Sequence, residues 1–403
     1  LYQNGGAAAD LSPAIMERTL FHSTNAYFIP NTEVTVHSCK TNLPPNTAFR
    51  GFGAPQGMFV IEAAIAMAAR EMKIPARLIQ QANFLKENDE FQFGQKARDV
   101  NIGKCYADLE RCIDIEKTEK EISDFNSKKT IFRKGMAVMP VCFGVSFTNT
   151  SMNQARALVH IYQDGSIGIS TGAVEMGQGV NTKLVQVAAR VFSVSTDRIK
   201  IETTNTSRIA NTSPTAASSG ADLNGNALLI ACSKLLERLK SVAAAALNCS
   251  TGEIEVRDEK VFKNGASADI TWEKLVTTAF LSRVSLSEQG HYATPKIWFD
   301  KSKEKGQPFA YHVYGTAVVI VRLDCLRGTY IIEKVQVVHD FGNSLNPSID
   351  MSQIEGGIMQ GIGWMTMEEV LFNKEGKMLT DSLSTYKVPD IYSAPEVLVC
   401  HAL

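Results

Sequence analysis

An α+β fold, in which mixed β-sheets are packed by helices, is what this sequence predicts, and three observations carry the prediction. Two apolar runs, ALVHIYQ and SIGIST, are joined across Asp164–Gly165, a dipeptide whose left-handed tolerance suits a two-residue hairpin turn. A second pair of β-rich runs, TAVVIVRL and TYIIEKVQVVHD, is separated only by DCLRG, a link short enough for antiparallel neighbours. Helical patterns run through MFVIEAAIAMAAREM, Asn181–Phe192 and Asp222–Leu247, each too long for a strand.

Along the chain, Ser12–Leu20 is a short helix in which Ser12 can cap and Pro13 takes the first helical position, where a missing N–H costs nothing. An extended, proline-rich passage follows to about Ala48. The glycine-rich segment Arg50–Gly57 then feeds a helix that is apolar on most faces, which predicts burial, and LIQQANFL continues the helical pattern. Lys86–Lys134 is highly charged. Within it, Lys117–Lys129 reads as a solvated helix or a linker, and a boundary near residue 100 divides the chain into domains at 1–100 and 101–403. From Met136 the texture turns to β with AVMPVCFGVSFT, and IKIETT (Ile199–Thr204) is a strand between two helices. Ile349–Val370 reads as a helix despite Gly356, Gly357, Gly361 and Gly363. Each glycine costs about 1 kcal/mol against alanine in a helix interior, so close packing must compensate. No repeat of fixed period and no low-complexity tract is present.

Composition narrows the function. The 403 residues suffice for two or three domains, and 44% apolar against 21% charged residues marks an ordered globular chain. Lys plus Arg (41) nearly balance Asp plus Glu (42), so no strong field draws the surface to nucleic acid or anionic lipid. The partner is expected to be a small molecule or another protein. The opening LYQNGGAAADLS lacks the basic start and apolar stretch of a signal peptide, and no apolar run approaches the roughly 18 residues of a membrane span. Eight cysteines are scattered without CxxC or Cys/His spacing, which argues against zinc or iron–sulfur ligation and reads as reduced thiols in a cytoplasmic compartment. The seven histidines come with no GxSxG elbow, and neither a P-loop nor a GxGxxG after a strand appears, which disfavours nucleophilic catalysis, nucleotide hydrolysis and dinucleotide hydride transfer.

Five segments can carry chemistry. In TAFRGFGAPQ, Arg50 and Phe52 can face one small cavity, or the segment is a tight turn with Arg50 on a surface carboxylate. GAVEMGQG (Gly172–Gly179) lies between a strand and a helix, where glycines let backbone N–H groups approach a polar ligand and a helix N-terminus favours its phosphate. Gln178 there offers donors and acceptors to a heterocycle edge. The same loop also reads as an unliganded strand-to-helix turn. NTSPTAASSG (Asn211–Gly220) either exposes its backbone amides to an anionic group or caps a helix through Ser213 with Pro214 following. In FGVSFT, Phe143 and Phe147 fit a core as readily as a stacked ligand. Arg18, by periodicity alone, is a helix-surface arginine. The residues taken by themselves reach no further than a glycine-lined site for a polar cofactor, phosphorylated or not.

The strings TAFRGFGAPQGMF, FGVSFT, EMGQG, SPTAASSGADLNG, SLNPSID and QIEGGIMQGIG, in this order and at these intervals, closely resemble the molybdenum-binding portion of the xanthine dehydrogenase and aldehyde oxidase family. Six motifs in register are far more specific than one. The resemblance implies that 1–100 is the C-terminal part of a first molybdopterin-binding domain and 101–403 a second, incomplete at its C-terminus. It implies that Met176, Gly177 and Gln178 contact the pterin, that Thr215, Ala216, Ala217 and Ser218 cradle its phosphate side, and that Gln360 adds a further cofactor contact. Phe52 and Phe147 would sandwich a flat substrate, Thr148 and Arg18 would bind its polar edge, and Arg50 would belong to the loop closing over the metal. No residue of the chain is implied to ligate the metal itself.

The cofactor so implied is molybdenum-molybdopterin or its cytosine dinucleotide form, with 2Fe–2S and FAD in partner domains or subunits of a dimeric, cytoplasmic enzyme of purine catabolism. The implied reaction oxidises xanthine or hypoxanthine: metal-bound hydroxide attacks an electron-poor carbon, hydride passes to a sulfido ligand, and a glutamate acts as general base. Negative charge develops on the ring oxygens, and Arg18 would stabilise it more in the transition state than in the ground state. Aldehyde-oxidising relatives commonly carry an apolar residue at that position, and carbon monoxide dehydrogenase relatives carry a cysteine where this chain reads Arg50–Gly51–Phe52. The family's GEPP segment with its glutamate would lie beyond Leu403, and before Leu1 would lie a glutamine near the metal, a GGFGG-type loop and a second substrate-binding acid. The chain by itself is therefore expected to be catalytically incomplete. Two other readings stay open: an aldehyde or N-heterocycle oxidase of the same family, and a fragment that holds the cofactor without turnover.

Overall fold

The computed structural model describes residues 1–128, 130–202 and 204–403. Its chain divides into a first unit of residues 1–144, 303–305 and 311–403, and a second of 145–302 and 306–310.

The first unit opens with β1 (Tyr2–Gly6) and β2 (His37–Lys40), paired in parallel, with α1 (Ser12–Phe21) between them in sequence. Pro13 sits in the first turn of α1 as expected, but Ser12 does not cap. Its hydroxyl donates instead to the carbonyls of Gly5 (3.3 Å) and Asn46 (2.7 Å), tethering the helix start to its neighbours. α2 (Ala54–Met72) packs on α1 at backbone distance. A Cβ on Gly53 would lie 2.2 Å from the Ile15 carbonyl oxygen, and one on Gly57 2.7 Å from that of Thr19, so glycine is required at both. The predicted burial of α2 is corrected: a single stripe with Ala54, Met58, Ile65 and Ala69 is buried, while Phe59 and Met67 are exposed. Val60 is exposed beside Phe59.

Helices α3 (Ala76–Ala82), α4 (Ile102–Cys112) and α5 (Ile115–Ser127) follow. α5 is the solvated helix of the charged segment, capped by Asp114, whose side chain accepts from the Lys117 N–H at 2.9 Å. Lys129, at the end of that predicted segment, lies outside the described residues. β3 (Phe132–Val145) then leads to the second unit.

There, β4 (Gln154–Ile161) and β5 (Ile167–Thr171) form the expected antiparallel hairpin, and Gly165 takes a left-handed φ of 82°. After α6 (Val180–Phe192), β6 (Ile199–Ile201) runs parallel to β5; Thr203 of the predicted strand lies outside the described residues. α7 (Gly220–Ala246), the small antiparallel sheet of β7 (Ile254–Arg257), β8 (Lys260–Lys263) and β9 (Ala266–Thr271), α8 (Trp272–Leu281) and β10 (Ser287–Ala293) follow. The larger sheet has the order β10-β4-β5-β6 and is mixed. Alternate residues of β4 (Ala155, Ala157, Val159, Ile161) join Leu184 and Ala188 of α6 and Leu228 and Leu235 of α7 in one core, as period-two patterning predicts. Gly290 lets α7 press on the sheet, since a Cβ there would fall 1.9 Å from the Ala227 carbonyl oxygen. A ribbon of β11 (Trp298–Asp300) and β12 (Lys305–Gln307) ends this passage.

The chain returns to the first unit with β13 (Tyr311–Asp324) and β14 (Thr329–His339), antiparallel from Gly315↔His339 to Asp324↔Thr329 across the DCLRG link. After α9 (Pro347–Thr366), β15 (Val397–Ala402) adds in parallel to β14, giving the mixed order β15-β14-β13-β3. Ile354, Ile358 and Ile362, four apart on α9, pack on Ile332, Val335 and Val337. α9 stops short of the predicted Val370: Met367 N–H makes the last helical bond, to the Gly363 carbonyl at 3.0 Å, and Glu368 N–H turns back to the same oxygen at 2.9 Å instead of continuing the pattern.

Candidate functional site

Two loops of small residues meet in the second unit. The first, Gly172–Gly179, joins β5 to α6; the second, Asn211–Ser219, leads into α7. The Val174 N–H donates to Thr215 Oγ1 at 2.9 Å, and the Thr204 hydroxyl donates to the Ala173 carbonyl at 2.8 Å. Gly172 is essential to this approach: a Cβ there would lie 2.3 Å from Thr212 Cγ2. Met176–Gln178 and Thr215–Ser218, 39 residues apart in sequence by their first members, thus belong to one patch.

The inside of the first loop is organised by a residue that sequence reasoning passed over. Glu175 accepts from the N–H groups of Gly177 (2.9 Å), Gly179 (3.0 Å) and Asn181 (2.9 Å). Its carboxylate thereby fills the N-terminus of α6, and the expectation that this terminus takes a cofactor phosphate is corrected. Partial desolvation opposes the charge, but the N–H donors outweigh it and hold the Glu175 carboxyl below its ordinary range. Gln178 also turns inward, its Nε2 donating to the Val174 carbonyl (2.8 Å) and its Oε1 accepting from the Met176 N–H (2.6 Å). The Met176 side chain is left two-thirds exposed at the loop tip. The signal for Glu175 was an acid just ahead of two glycines and a helix start, where the helix dipole favours an anion.

The second loop is open to an anion where the first is closed. Ala217 and Ser218 both take left-handed φ, 56° and 57°, and α7 begins without a side-chain cap on its first N–H groups. The predicted cap by Ser213 with Pro214 in the first turn is corrected: the helix starts at Gly220, and the Ser213 hydroxyl is bonded to the Met152 carbonyl. Beside this terminus, Thr212 Oγ1 and Asn224 Oδ1 are buried without a hydrogen-bond partner among the described residues, an arrangement that ordinarily calls for a ligand or a water. Uncapped N–H groups, small side chains and unsatisfied polar atoms fit a phosphate-bearing group with a polar edge. Thr215–Ser218 would hold that phosphate side, and Met176–Gln178 would flank the rest.

Phe147 and Thr148 also lie in the second unit. Asn153, itself buried, clamps the Phe147 backbone from both sides, with its Oδ1 accepting from the N–H (2.8 Å) and its Nδ2 donating to the carbonyl (3.0 Å). The Phe147 ring is partly buried against the core, and Thr148 is buried.

In the first unit, Arg18 is not on the helix surface. It is 2% exposed, on the α1 face that also buries Ile15 and His22. Its Nη1 donates to the Gly144 carbonyl at 2.8 Å, and its Cζ lies 5.2 Å from the centre of the Phe143 ring. Desolvation lowers its pKa to about 10, against a raising contribution from Glu17, so the guanidinium stays charged at neutral pH. Phe52 sits between Gly51 and Gly53 in three consecutive left-handed residues (φ 89°, 51° and 106°), a costly backbone for an aromatic side chain and the kind of strain that collects at functional loops. Among the described residues, Arg50 meets no carboxylate. Its Nη2 donates to the backbone and side-chain oxygens of Gln353 on α9, at 2.8 and 3.3 Å. Gln360 lies two turns further along the same helix.

Among the described residues, no group of three or more His, Cys, Asp or Glu side chains is placed to hold a metal ion. None of the eight cysteines is bridged, and among the described residues no helix is long and apolar enough to cross a membrane.

Residues 1–84 and 108–395 match two models described as the molybdopterin cofactor-binding domain, and the chain belongs to that family. It is 41% identical over 394 residues to the xanthine dehydrogenase/oxidase of Mus musculus and 38% identical over 402 residues to the xanthine dehydrogenase of Oryza sativa subsp. japonica, in each case over 98% of this chain. The chain spans 28% of the length of these curated relatives. Its fold matches quinoline 2-oxidoreductase from Pseudomonas putida 86 with a TM-score of 0.86 at 22% identity, over 100% of this chain and 52% of that one.

Proposed function

We propose that this chain is the cofactor-holding part of a molybdenum hydroxylase that oxidises xanthine or hypoxanthine. The observation that carries the reading is the meeting of the two small-residue loops through Val174 and Thr215, next to the uncapped start of α7. The bound cofactor, molybdopterin or its cytosine dinucleotide form, supplies the oxygen-transfer and electron-accepting chemistry. Thr215, Ala216, Ala217 and Ser218 hold its phosphate side, Met176, Gly177 and Gln178 its pterin, and Gln360 adds a contact. Arg50, anchored on α9, steadies the Gly51–Gly53 turn and with it Phe52, which offers an aromatic face to a planar substrate. Phe147 offers a second such face, and Thr148 a hydroxyl for the substrate's polar edge.

Arg18 favours a purine. A guanidinium in a low-dielectric surrounding acts strongly on charge that develops on a ring oxygen, and the identity to two xanthine dehydrogenases supports that choice. Residues 1–100 then belong to one cofactor-binding domain and 101–403 to a second, a reading that the two family matches at 1–84 and 108–395 support. Electrons leave toward 2Fe–2S and FAD centres of partner domains or subunits in a dimeric, cytoplasmic enzyme of purine catabolism.

The test is Arg18→Met in the full-length enzyme. At equal molybdenum content, kcat/KM for xanthine should fall about 100-fold, the scale of losing one charged transition-state contact. Unchanged purine turnover would favour an aldehyde or N-heterocycle oxidase instead.

A further inference from the structure

In the first unit, three hydrogen bonds form a closed ring between Arg18 of α1, His22 just past the end of that helix, and Gly144 of β3. Arg18 Nη1 donates to the Gly144 carbonyl at 2.8 Å, the Gly144 N–H donates to His22 Nε2 at 3.0 Å, and His22 Nδ1 lies 2.9 Å from the Arg18 carbonyl. A carbonyl only accepts and a peptide N–H only donates, so the two partners fix His22 as the neutral tautomer with its proton on Nδ1. Phe143 lies beside both side chains, its ring centre 5.1 Å from that of His22 and 5.2 Å from Arg18 Cζ. His22 is 4% exposed. The N–H and C=O carried by Gly144 belong to adjoining peptides, so anchoring the N–H restricts the carbonyl that receives the guanidinium.

We propose that His22 is a positioning residue for Arg18: by holding Gly144 it aims the guanidinium, and so sets how tightly the polar edge of a purine is bound. The inference rests on the role given to Arg18 above and does not place His22 against the substrate. Burial, and after it the charge of Arg18, keeps the imidazole neutral, with its pKa well below the ordinary value. A second ring proton would face the Gly144 N–H and break the ring of bonds.

The test compares variants of the full-length, molybdenum-loaded enzyme by steady-state kinetics. It also measures xanthine binding to the same proteins freed of cofactor, by calorimetry. His22→Phe keeps an aromatic ring beside Phe143 but removes both hydrogen bonds. It should raise the xanthine Kd about tenfold and lower kcat/KM by at least as much, through kcat as well as KM because Arg18 also acts on the developing charge. His22→Gln, whose amide oxygen can take the place of Nε2, should return to within about threefold of the parent. Adding His22→Phe to Arg18→Met should weaken binding no further than Arg18→Met alone.

If Arg18→Met weakens xanthine binding and His22→Phe does not, the proposal falls alone. If the two losses add in the double variant, His22 acts independently of Arg18 and the proposal also falls. If Arg18→Met itself changes nothing, the Arg18 reading and this proposal fall together. Should His22→Phe not fold, His22→Asn, which can reach the Arg18 carbonyl but not the Gly144 N–H, must show the loss; parental affinity there overturns the proposal.

Discussion

Arg50, on the loop before α2, donates from Nη2 to the carbonyl of Gln353 on α9 at 2.8 Å, across 303 positions of sequence. A Cβ on Gly357 would lie 3.4 Å from Arg50 Cζ, an ordinary van der Waals contact. Gly363 is tighter: a Cβ there would fall 2.6 Å from Pro389 Cδ. Among the described residues, no neighbouring group lies within 4 Å of a Cβ built on Gly361. Three substitutions should therefore behave differently in thermal unfolding. Gly363→Ala should destabilise by about 1–3 kcal/mol through overpacking, and Gly361→Ala should stabilise by up to about 1 kcal/mol through helix propensity. Gly357→Leu should displace Arg50 from Gln353. A Gly361→Ala variant as unstable as Gly363→Ala would show that packing does not separate these glycines.

The bond from Val174 to Thr215 couples the two candidate cofactor loops. Thr215→Val preserves the shape of the side chain but leaves the Val174 N–H without its acceptor, a loss of about 1 kcal/mol. Molybdenum and pterin content per chain should fall roughly fivefold, about what that energy corresponds to, while Thr215→Ser retains the cofactor. Equal content in the parent and the valine variant, measured by elemental analysis and fluorescence of the oxidised pterin, would separate the loops from cofactor retention.

Several parts of this arrangement were legible in the sequence because their causes are local. Asp164–Gly165 announced the hairpin since the turn itself demands a left-handed residue, and the glycines of RGFG and GQG marked strand-to-helix and loop-to-helix turns for the same reason. What escaped reading depended on partners far away in sequence. Ser213 had a proper cap signature, yet its hydroxyl is taken by Met152, and α7 begins six residues after Pro214. Periodicity alone puts Arg18 on the helix surface, although Ile15 and His22 share its helical face and are buried. α2 was expected to be covered all round because composition reports how apolar a helix is and not how many of its faces find neighbours. The candidate cofactor residues themselves came from motif strings. Their juxtaposition, and the part taken by Glu175, needed coordinates.

Glu175 gives a prediction of its own. Three backbone N–H groups converge on its carboxylate, so Glu175→Ala should release them to solvent. Amide exchange at Gly177, Gly179 and Asn181 should quicken by about tenfold or more, local opening being the step that exposes them. In the parent, the folded carboxyl has a depressed pKa, so protection of the loop should be full above the unfolded value and be lost as pH falls below it. Exchange rates indifferent to both the substitution and acid would mean that the loop is held by other contacts.

The acid limb of stability is assigned to a residue outside the candidate site. His312 on β13 stacks on Phe91, with ring centres 4.6 Å apart, and desolvation lowers its pKa to about 3. In the unfolded chain an imidazole titrates near 6.5. Between these values the unfolded state binds a proton that the folded state refuses. The stabilisation is therefore complete above about pH 6.5 and is lost as pH falls toward about 3, with a slope approaching 1.4 kcal/mol per unit. His312→Phe keeps a ring against Phe91 and removes the titrating nitrogen. From pH 7 to pH 5 the parent should lose about 2 kcal/mol more unfolding free energy than this variant. His22 is held neutral chiefly by its own burial and only lastly by His312, so it remains neutral in both proteins and nearly cancels from the difference. Urea unfolding of the two at each pH measures it directly: parallel curves would mean that His312 accepts its proton in the folded state at ordinary pH, and that the Phe91 stack does not exclude water from the ring.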